Sequence, residues 1–363
     1  MILHSYFASK FLWTFLGVFG VFAILLSLIE LVDELQDFPN LPFLQVAEIV
    51  ALKLPSVSYE ILPLVLILAT VALFLRLARS SELVVVRAAG RSALRALTAP
   101  IVVALLIGLI AITMFNPIVA AASKRHNDLV NSYKGGDSSV LAISSEGLWL
   151  RQGSATGQTV IHAARASSDV TTLYNTTFMA FSPDGTPLRR IAAQSARLTD
   201  GEWLLAEAKL WPLDQAGNPE SSARQIESLS IPSALTQDRI LDSFGKPEYI
   251  SLWDMPSFIN QLEEAGFSAR RYAVWMQMEL ASPVFLVALV ILTAAFTMRH
   301  TRISNTGVSV LTAVMLGFTL HYIRNFAQIL GENGQIPILL AAWTPPLASL
   351  LLAFGILLHM EDG

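Results

Sequence analysis

No cysteine occurs among the 363 residues. That rules out disulfides and thiolate metal sites and leaves the redox compartment open. Charge is scarce as well: 14% of the residues are charged, where a soluble domain carries roughly 25%. What charge there is sums to −4, with no long basic run, so nucleic acid is not an expected partner. The pattern G-x-x-x-x-G-K-[ST] is missing, as are H-E-x-x-H and G-x-S-x-G. With them go the usual cradle for ATP, the helical zinc site and the activated serine. The six histidines, at 4, 126, 162, 300, 321 and 359, are scattered and read as structural or surface residues. The chain is therefore not expected to be an enzyme, and no catalytic, cofactor-binding or metal-binding residue is assigned.

What is present is apolar length. A bilayer span needs roughly 20 apolar residues, and runs near that length recur six times: 11–29, about 54–75, 96–123, 280–298, 303–323 and 335–360. A signal peptide would have a shorter apolar core ending at small residues. The first run is longer and leads into "ELVDELQDF", so a retained helix is expected. Six spans define the fold class as an α-helical membrane protein.

Cytoplasmic loops carry an excess of Lys and Arg. The connection between spans two and three holds Arg76, Arg79, Arg87, Arg91 and Arg95 against Glu82, and that between spans four and five holds Arg299, His300 and Arg302. Between spans one and two lie Glu30, Asp33, Glu34, Asp37 and Glu48 against Lys53. Both termini and residues 79–95 are thus expected inside, and the 1–2 loop and the long region 124–270 outside. That long region is polar, with turn signals at "SPDG", "TDG" and "QAGNPE" and short alternating runs between them. In "WLLAEAKLW" strict alternation puts Leu204, Ala206, Ala208 and Leu210 on one face. About eight or more such strands would make a sandwich, jelly roll or barrel. The expected organisation is spans one to three over 1–123, a β-domain over 124–250, an amphipathic connecting helix over 251–270 and spans four to six over 271–363.

Ionisable residues inside spans are costly. Glu60, Glu279, His321 and Arg324 are the candidates, with Glu30 at the end of span one. At 1.5 Å per residue, Glu60 and Glu279 sit roughly 10 Å inside the outer boundary. Two readings stay open. These residues snorkel or pair at the interface, Glu279 with Arg324 for instance, or they form the polar rim of an apolar cavity suited to an amphiphile. A midplane ion relay would place carboxylates deeper, often in repeated halves, and neither feature is present.

The stretch "RSSELVVVRAAGRSALR", 79–95, is too short to span and too apolar for an ordinary loop. As a helix it has Ser80 or Ser81 to cap it and Glu82 in its first turn. Arg87, Arg91 and Arg95 share one face, and Val85, Val86 and Ala89 another. Such a helix can lie on anionic lipid or dock into a groove of a soluble partner.

"RLARSSELVVVRAAGRS" resembles the coupling-helix segment of the LptF/LptG permease family, which exports lipopolysaccharide. "ILPLVLILA" before it, "AAWTPP" in span six, the six spans and the insert between spans three and four match over nearly the whole chain. "LIELVDELQDF" after span one is nearer the LptG branch than the LptF branch.

The resemblance implies a permease subunit of an ATP-driven transporter in the inner membrane of a Gram-negative bacterium. It would extract lipopolysaccharide and pass it to a periplasmic β-jelly-roll bridge. The chain would bind no cofactor; ATP and Mg would be used by an LptB-type ATPase dimer. The sister permease LptF and the LptC-like and LptA-like jelly-roll proteins would complete the assembly. The coupling helix, near 80–92, would dock on the ATPase through Glu82, Leu83, Val86, Arg87 and Gly90. The insert would be the periplasmic jelly roll. Spans one and five would line a lateral gate and lipid cavity, with Glu30, Glu60, Glu279, His321 and Arg324 as its candidate polar residues.

Relatives can carry a basic residue where Glu30 stands, so Lys53, Arg270, Arg271 or Arg324 would have to supply positive charge for lipid phosphates. Two other readings are a non-transporting scaffold or receptor with a partner-binding periplasmic domain, and a mechanotransmission or lipoprotein-release ABC subunit. The latter places its large insert between its first and second spans.

Overall fold

The structure is a computed structural model. It describes every residue except 1, 81, 83–92, 135–140, 145–146, 155–156, 168–170, 200, 214–217, 234, 237–239, 241–244, 299–305 and 362–363. Most of the coupling segment therefore lies outside the described residues; Ser80 and Glu82 lie within them. The chain divides into two compact units, one of residues 1–127, 248–253 and 270–363, the other of 128–247 and 254–269.

The first unit is helical. Its elements are α1 (Ile2–Asp37), α2 (Phe43–Glu60), α3 (Leu62–Arg79), α4 (Ala93–Ile110), a π-helical turn (Ala111–Phe115), α5 (Asn116–Tyr133), whose last residues belong to the second unit, α7 (Arg270–Thr297), α8 (Thr306–Glu332) and α9 (Ile338–Glu361). Six helices among the described residues are long and apolar enough to cross a membrane. The second begins at Leu62 rather than near 54, because Pro63 in its first turn starts a new helix after Ile61. The third continues to Tyr133 through the π turn. A π turn displaces a backbone carbonyl from the regular ladder. Here the Thr113 carbonyl accepts the Trp253 indole N–H at 3.1 Å, and Asn116 Oδ1 accepts the Leu252 N–H at 2.9 Å.

The core of this unit gathers around α7. Phe285, Leu286, Leu289, Val290 and Ile291 are buried, and Val65, Leu66, Leu73 and Leu77 of α3 pack in the same cluster. Phe7, Phe11 and Phe15 of α1, spaced four apart on one helical face, join it. Close approach decides one contact. A Cβ at Gly108 of α4 would lie 2.8 Å from the Pro283 backbone of α7, so only glycine lets these helices meet there. The opposite face of α1 is uncovered: Trp13 is 71% exposed and Ile24 65%. In a bilayer that face meets lipid without penalty.

The second unit holds a seven-stranded antiparallel sheet in chain order: β1 (Leu141–Ser144), β2 (Gly147–Ser154), β3 (Gly157–Ala166), β4 (Thr172–Phe181), β5 (Pro187–Thr199), β6 (Glu202–Pro212) and β7 (Arg224–Pro232). The described strands form a meander, without the crossed order that defines a jelly roll. Seven strands are present among the described residues.

Strict alternation also fails, for a local reason. In β6 the buried residues are Trp203, Leu205 and then Ala208, while Leu204 and Ala206 face out. Glu207, at φ +53°, follows Ala206 outward and shifts the phase. Asn175, at φ +50°, does the same in β4. Ala164–Arg165 of β3 and Gln194–Ser195 of β5 cross the sheet at that level with the same change of phase. Strand register is unchanged across the crease, so the same face stays buried on both sides of it.

Helix α6 (Met255–Glu264) buries Met255 and Leu262, as the amphipathic pattern predicts. Its end meets β3, where Ala166 N–H donates to the Ala265 carbonyl at 3.1 Å.

Candidate functional site

Four of the five candidate cavity residues come together. Glu60 ends α2, Glu279 lies on α7, and His321 and Arg324 lie one turn apart on α8. They line a cavity of about 470 Å³ whose apolar wall includes Leu62, Ile67, Leu286 and Phe318. Glu279 is 8% exposed. Its carboxylate accepts a hydrogen bond from the Tyr59 hydroxyl, which answers the demand that a buried charge be paired or hydrogen-bonded.

Glu279 and Arg324 are not an ion pair among those the described residues form. Arg324 Nη2 donates instead to the Met278 carbonyl at 3.0 Å, with its guanidinium 5.3 Å from the Phe285 ring centre. Asn325 Nδ2 and His321 Nε2 are 3.2 Å apart. Arg324 Nε and His321 Nδ1 are buried without a hydrogen-bond partner among the described residues. The cavity thus joins polar side chains to apolar walls.

Glu30 is elsewhere. Lys53 of α2 reaches Glu30 at 2.5 Å and Glu34 at 3.1 Å, and His126 Nε2 lies 3.8 Å from Glu34. Burial alone lowers the Lys53 pKa, but the hydrogen bonds and charges of the two glutamates outweigh it and hold the ammonium above its ordinary value. Lys53 is therefore occupied as the clamp between α1 and α2. Arg270 is also occupied, with Nε donating to the Gly331 carbonyl and Nη2 to that of Ile336. Arg271 is exposed. Among the positive charges proposed for lipid phosphates, Arg324 is the one that lines the cavity.

Glu82 has partners in its own chain. Its carboxylate accepts from Lys10 Nζ at 2.7 and 2.9 Å, from the Tyr6 hydroxyl at 3.1 Å and from Ser80 Oγ at 2.9 Å. Burial alone raises its pKa, but these bonds outweigh it, and the carboxyl lies below its ordinary value. Leu83, Val86, Arg87 and Gly90 lie outside the described residues. Sequence reasoning missed Lys10, Tyr6, Tyr59 and Asn325. A lone cation directly before the first apolar run was the available signal for Lys10. Tyr59 had none beyond adjacency to Glu60.

Comparison with known proteins decides the family. The family model described as "Lipopolysaccharide export system permease LptF/LptG" matches residues 5–359. The chain belongs to the LptF/LptG permease family. It is 24% identical over 294 residues to the lipopolysaccharide export system permease protein LptG of Escherichia coli strain K12, covering 78% of this chain and 77% of that protein. The same identity and coverage hold for LptG of Escherichia coli O6:H1 strain CFT073. Membership in this family agrees with the resemblance carried by residues 76–92 and with a multi-pass permease of the lipopolysaccharide export system. Its six apolar helices are the membrane-spanning elements such a subunit needs.

Proposed function

We propose that this chain is the LptG-type permease subunit of an ATP-driven transporter that extracts lipopolysaccharide from the inner membrane. The carrying observation is the cavity bounded by Glu60, Glu279, His321 and Arg324 above Leu62, Ile67, Leu286 and Phe318. An amphiphile needs that arrangement, with polar contacts for its head and apolar walls for its tails. The two spans with least cover from the rest of the chain, α1 and α8, would form the lateral gate.

The segment 79–95 would be the handle for an LptB-type ATPase dimer, which uses ATP and Mg, with docking through Glu82, Leu83, Val86, Arg87 and Gly90. The β-domain would stand in the periplasm and hand lipid towards LptC-like and LptA-like jelly-roll proteins, and the second permease would be the sister LptF. The arginine distribution supports this orientation. The seven-stranded antiparallel sheet, a β-structure in the insert where the family would have its β-domain, supports the hand-over.

The test is purification of the assembled complex in detergent, reconstitution into vesicles with lipopolysaccharide, and ATP addition with a jelly-roll acceptor present. ATP-dependent transfer of lipopolysaccharide to the acceptor is expected. A complex that assembles, hydrolyses ATP and transfers none would make this chain a scaffold.

A further inference from the structure

The first turns of α1 touch both flanks of the segment 79–95. On one flank Glu82 is held by Lys10 and Tyr6. On the other, Thr98 Oγ1 of α4 lies 3.1 Å from His4 Nδ1. The Lys10–Glu82 contact is oriented on every side. The lysine bridges both carboxylate oxygens, Ser80 Oγ at the end of α3 holds Oε1, and Tyr6 holds Oε2. Lys10 Nζ also sits 4.4 Å from the centre of the Tyr6 ring, a cation–π contact that fixes the ammonium from the helix's own side. These contacts reach both carboxylate oxygens. The pair is also shielded, with side chains 21% and 30% exposed, so it is tighter than a solvated surface bridge.

The position of this contact gives it mechanical meaning. Below the middle of the span, α1 is packed into the core by Phe7, Phe11 and Phe15. Above it, from Val21 to Val32, the large side chains are mostly exposed. A Cβ at Gly17 or Gly20 would meet nothing within 4 Å. Between Phe15 and the Lys53 clamp at Glu30 and Glu34, a rotation imposed at the lower end thus meets few buried neighbours.

We propose that Lys10 is a positioning residue that fixes the Glu82 carboxylate and ties α1 to the segment 79–95, so that movement of that segment turns α1 directly. This rests on the reading of 79–95 as the docking handle of a partner ATPase. Glu82 then has two duties: its inner side belongs to Lys10, and its exposed edge faces the partner.

The test uses the assembled, reconstituted complex and reads lipopolysaccharide transferred per ATP hydrolysed. Wild type comes first, and absence of ATP-dependent transfer there would sink the function itself, not the tether. Lys10→Met is expected to keep the ATPase bound and its hydrolysis within twofold, while transfer per ATP falls fivefold or more. Lys10→Arg is expected to restore the ratio to within twofold, because a cation is what the carboxylate needs. Transfer per ATP within twofold of wild type in Lys10→Met would overturn the proposal. So would equal losses in Lys10→Arg and Lys10→Met, which would mark a packing role.

If Lys10→Met fails to accumulate, a bridged variant decides. The chain has no cysteine, so Tyr6→Cys with Ser80→Cys can be joined by a short, reducible bis-thiosulfonate while Lys10 and Glu82 stay in place. Transfer that survives bridging supports concerted movement. Transfer lost on bridging and regained on reduction shows that the contact opens in each cycle, and overturns the tether.

Discussion

Helices α7 and α1 are both long and both apolar, yet the chain treats them in opposite ways. Of the most apolar 18-residue window, 72% is buried in α7 and 6% in α1. Helix α7 is held by side-chain packing along its length, where large-to-small changes are expensive. Helix α1 is held at its two ends, by Phe7, Phe11, Phe15 and the Lys10–Glu82 contact below, and by Glu30 and Glu34 on Lys53 above. Helix α8 is the other sparsely covered span, with 17% of its window buried, and it brings His321 and Arg324 to the cavity. In a bilayer the hydrophobic effect does not press helices together. A span clamped at discrete points is free to move between them, and a span packed along its length is scaffold.

Glycine exchange breaks this comparison most strongly. Gly108→Leu drives a side chain into the Pro283 backbone, and a destabilisation of about 3 kcal/mol or more is expected from overpacking. Gly20→Leu on α1 enters open space and should change stability by less than about 0.5 kcal/mol. Thermal unfolding of the purified complex in detergent compares the two. Equal losses would mean that α1 is packed along its length in the assembly.

Tyr59→Phe is next. It removes the donor to Glu279, a carboxylate only 8% exposed. An unsatisfied buried group costs about 1–3 kcal/mol, read by the same unfolding measurement. Lys53→Met should cost as much, about 1–3 kcal/mol, since it leaves Glu30 and Glu34, whose side chains are 14% and 7% exposed, without their cation. Its stronger signature is greater separation of the upper ends of α1 and α2, measured between spin labels at Val32 and Leu44, which are both exposed.

The smallest effect is that of pH on the lower clamp. The folded pKa of Glu82 is depressed, so its stabilising contribution is present above the ordinary carboxylate value. It is lost as pH falls through the depressed one. Label distances between positions 13 and 76 should be constant from about pH 8 to 5.5. They should broaden only below the ordinary glutamate value of about 4.3.

Spans were legible because a long apolar run has few alternatives. The strands of the insert were legible as strands, and "WLLAEAKLW" is β6, yet Ala208 is buried on the face opposite Leu204 and Ala206 instead of sharing theirs. A left-handed residue at Glu207 changes the phase, and nothing in a glutamate announces it. The cavity residues Glu60, Glu279, His321 and Arg324 were readable because charge in a span is costly. Glu30 does not join them at the cavity, and its pairing with Lys53, across a turn and on another helix, was not readable. Glu82 was read as a docking residue, and its contact with Lys10, 72 residues away, was not readable. Sequence spacing on one helix shows which residues share a face, and it does not show which distant residue completes a pair.

The central claim is that the sparsely covered spans α1 and α8 meet the exported lipid. Photocrosslinking from positions 28 and 318, with Val102 of α4 as an exposed control, tests it in the assembled complex supplied with ATP. Lipopolysaccharide adducts that form at 28 and 318 and change with ATP, against phospholipid adducts alone at 102, are the predicted result. Lipopolysaccharide adducts of equal yield at all three positions, or none at 28 and 318, would contradict it.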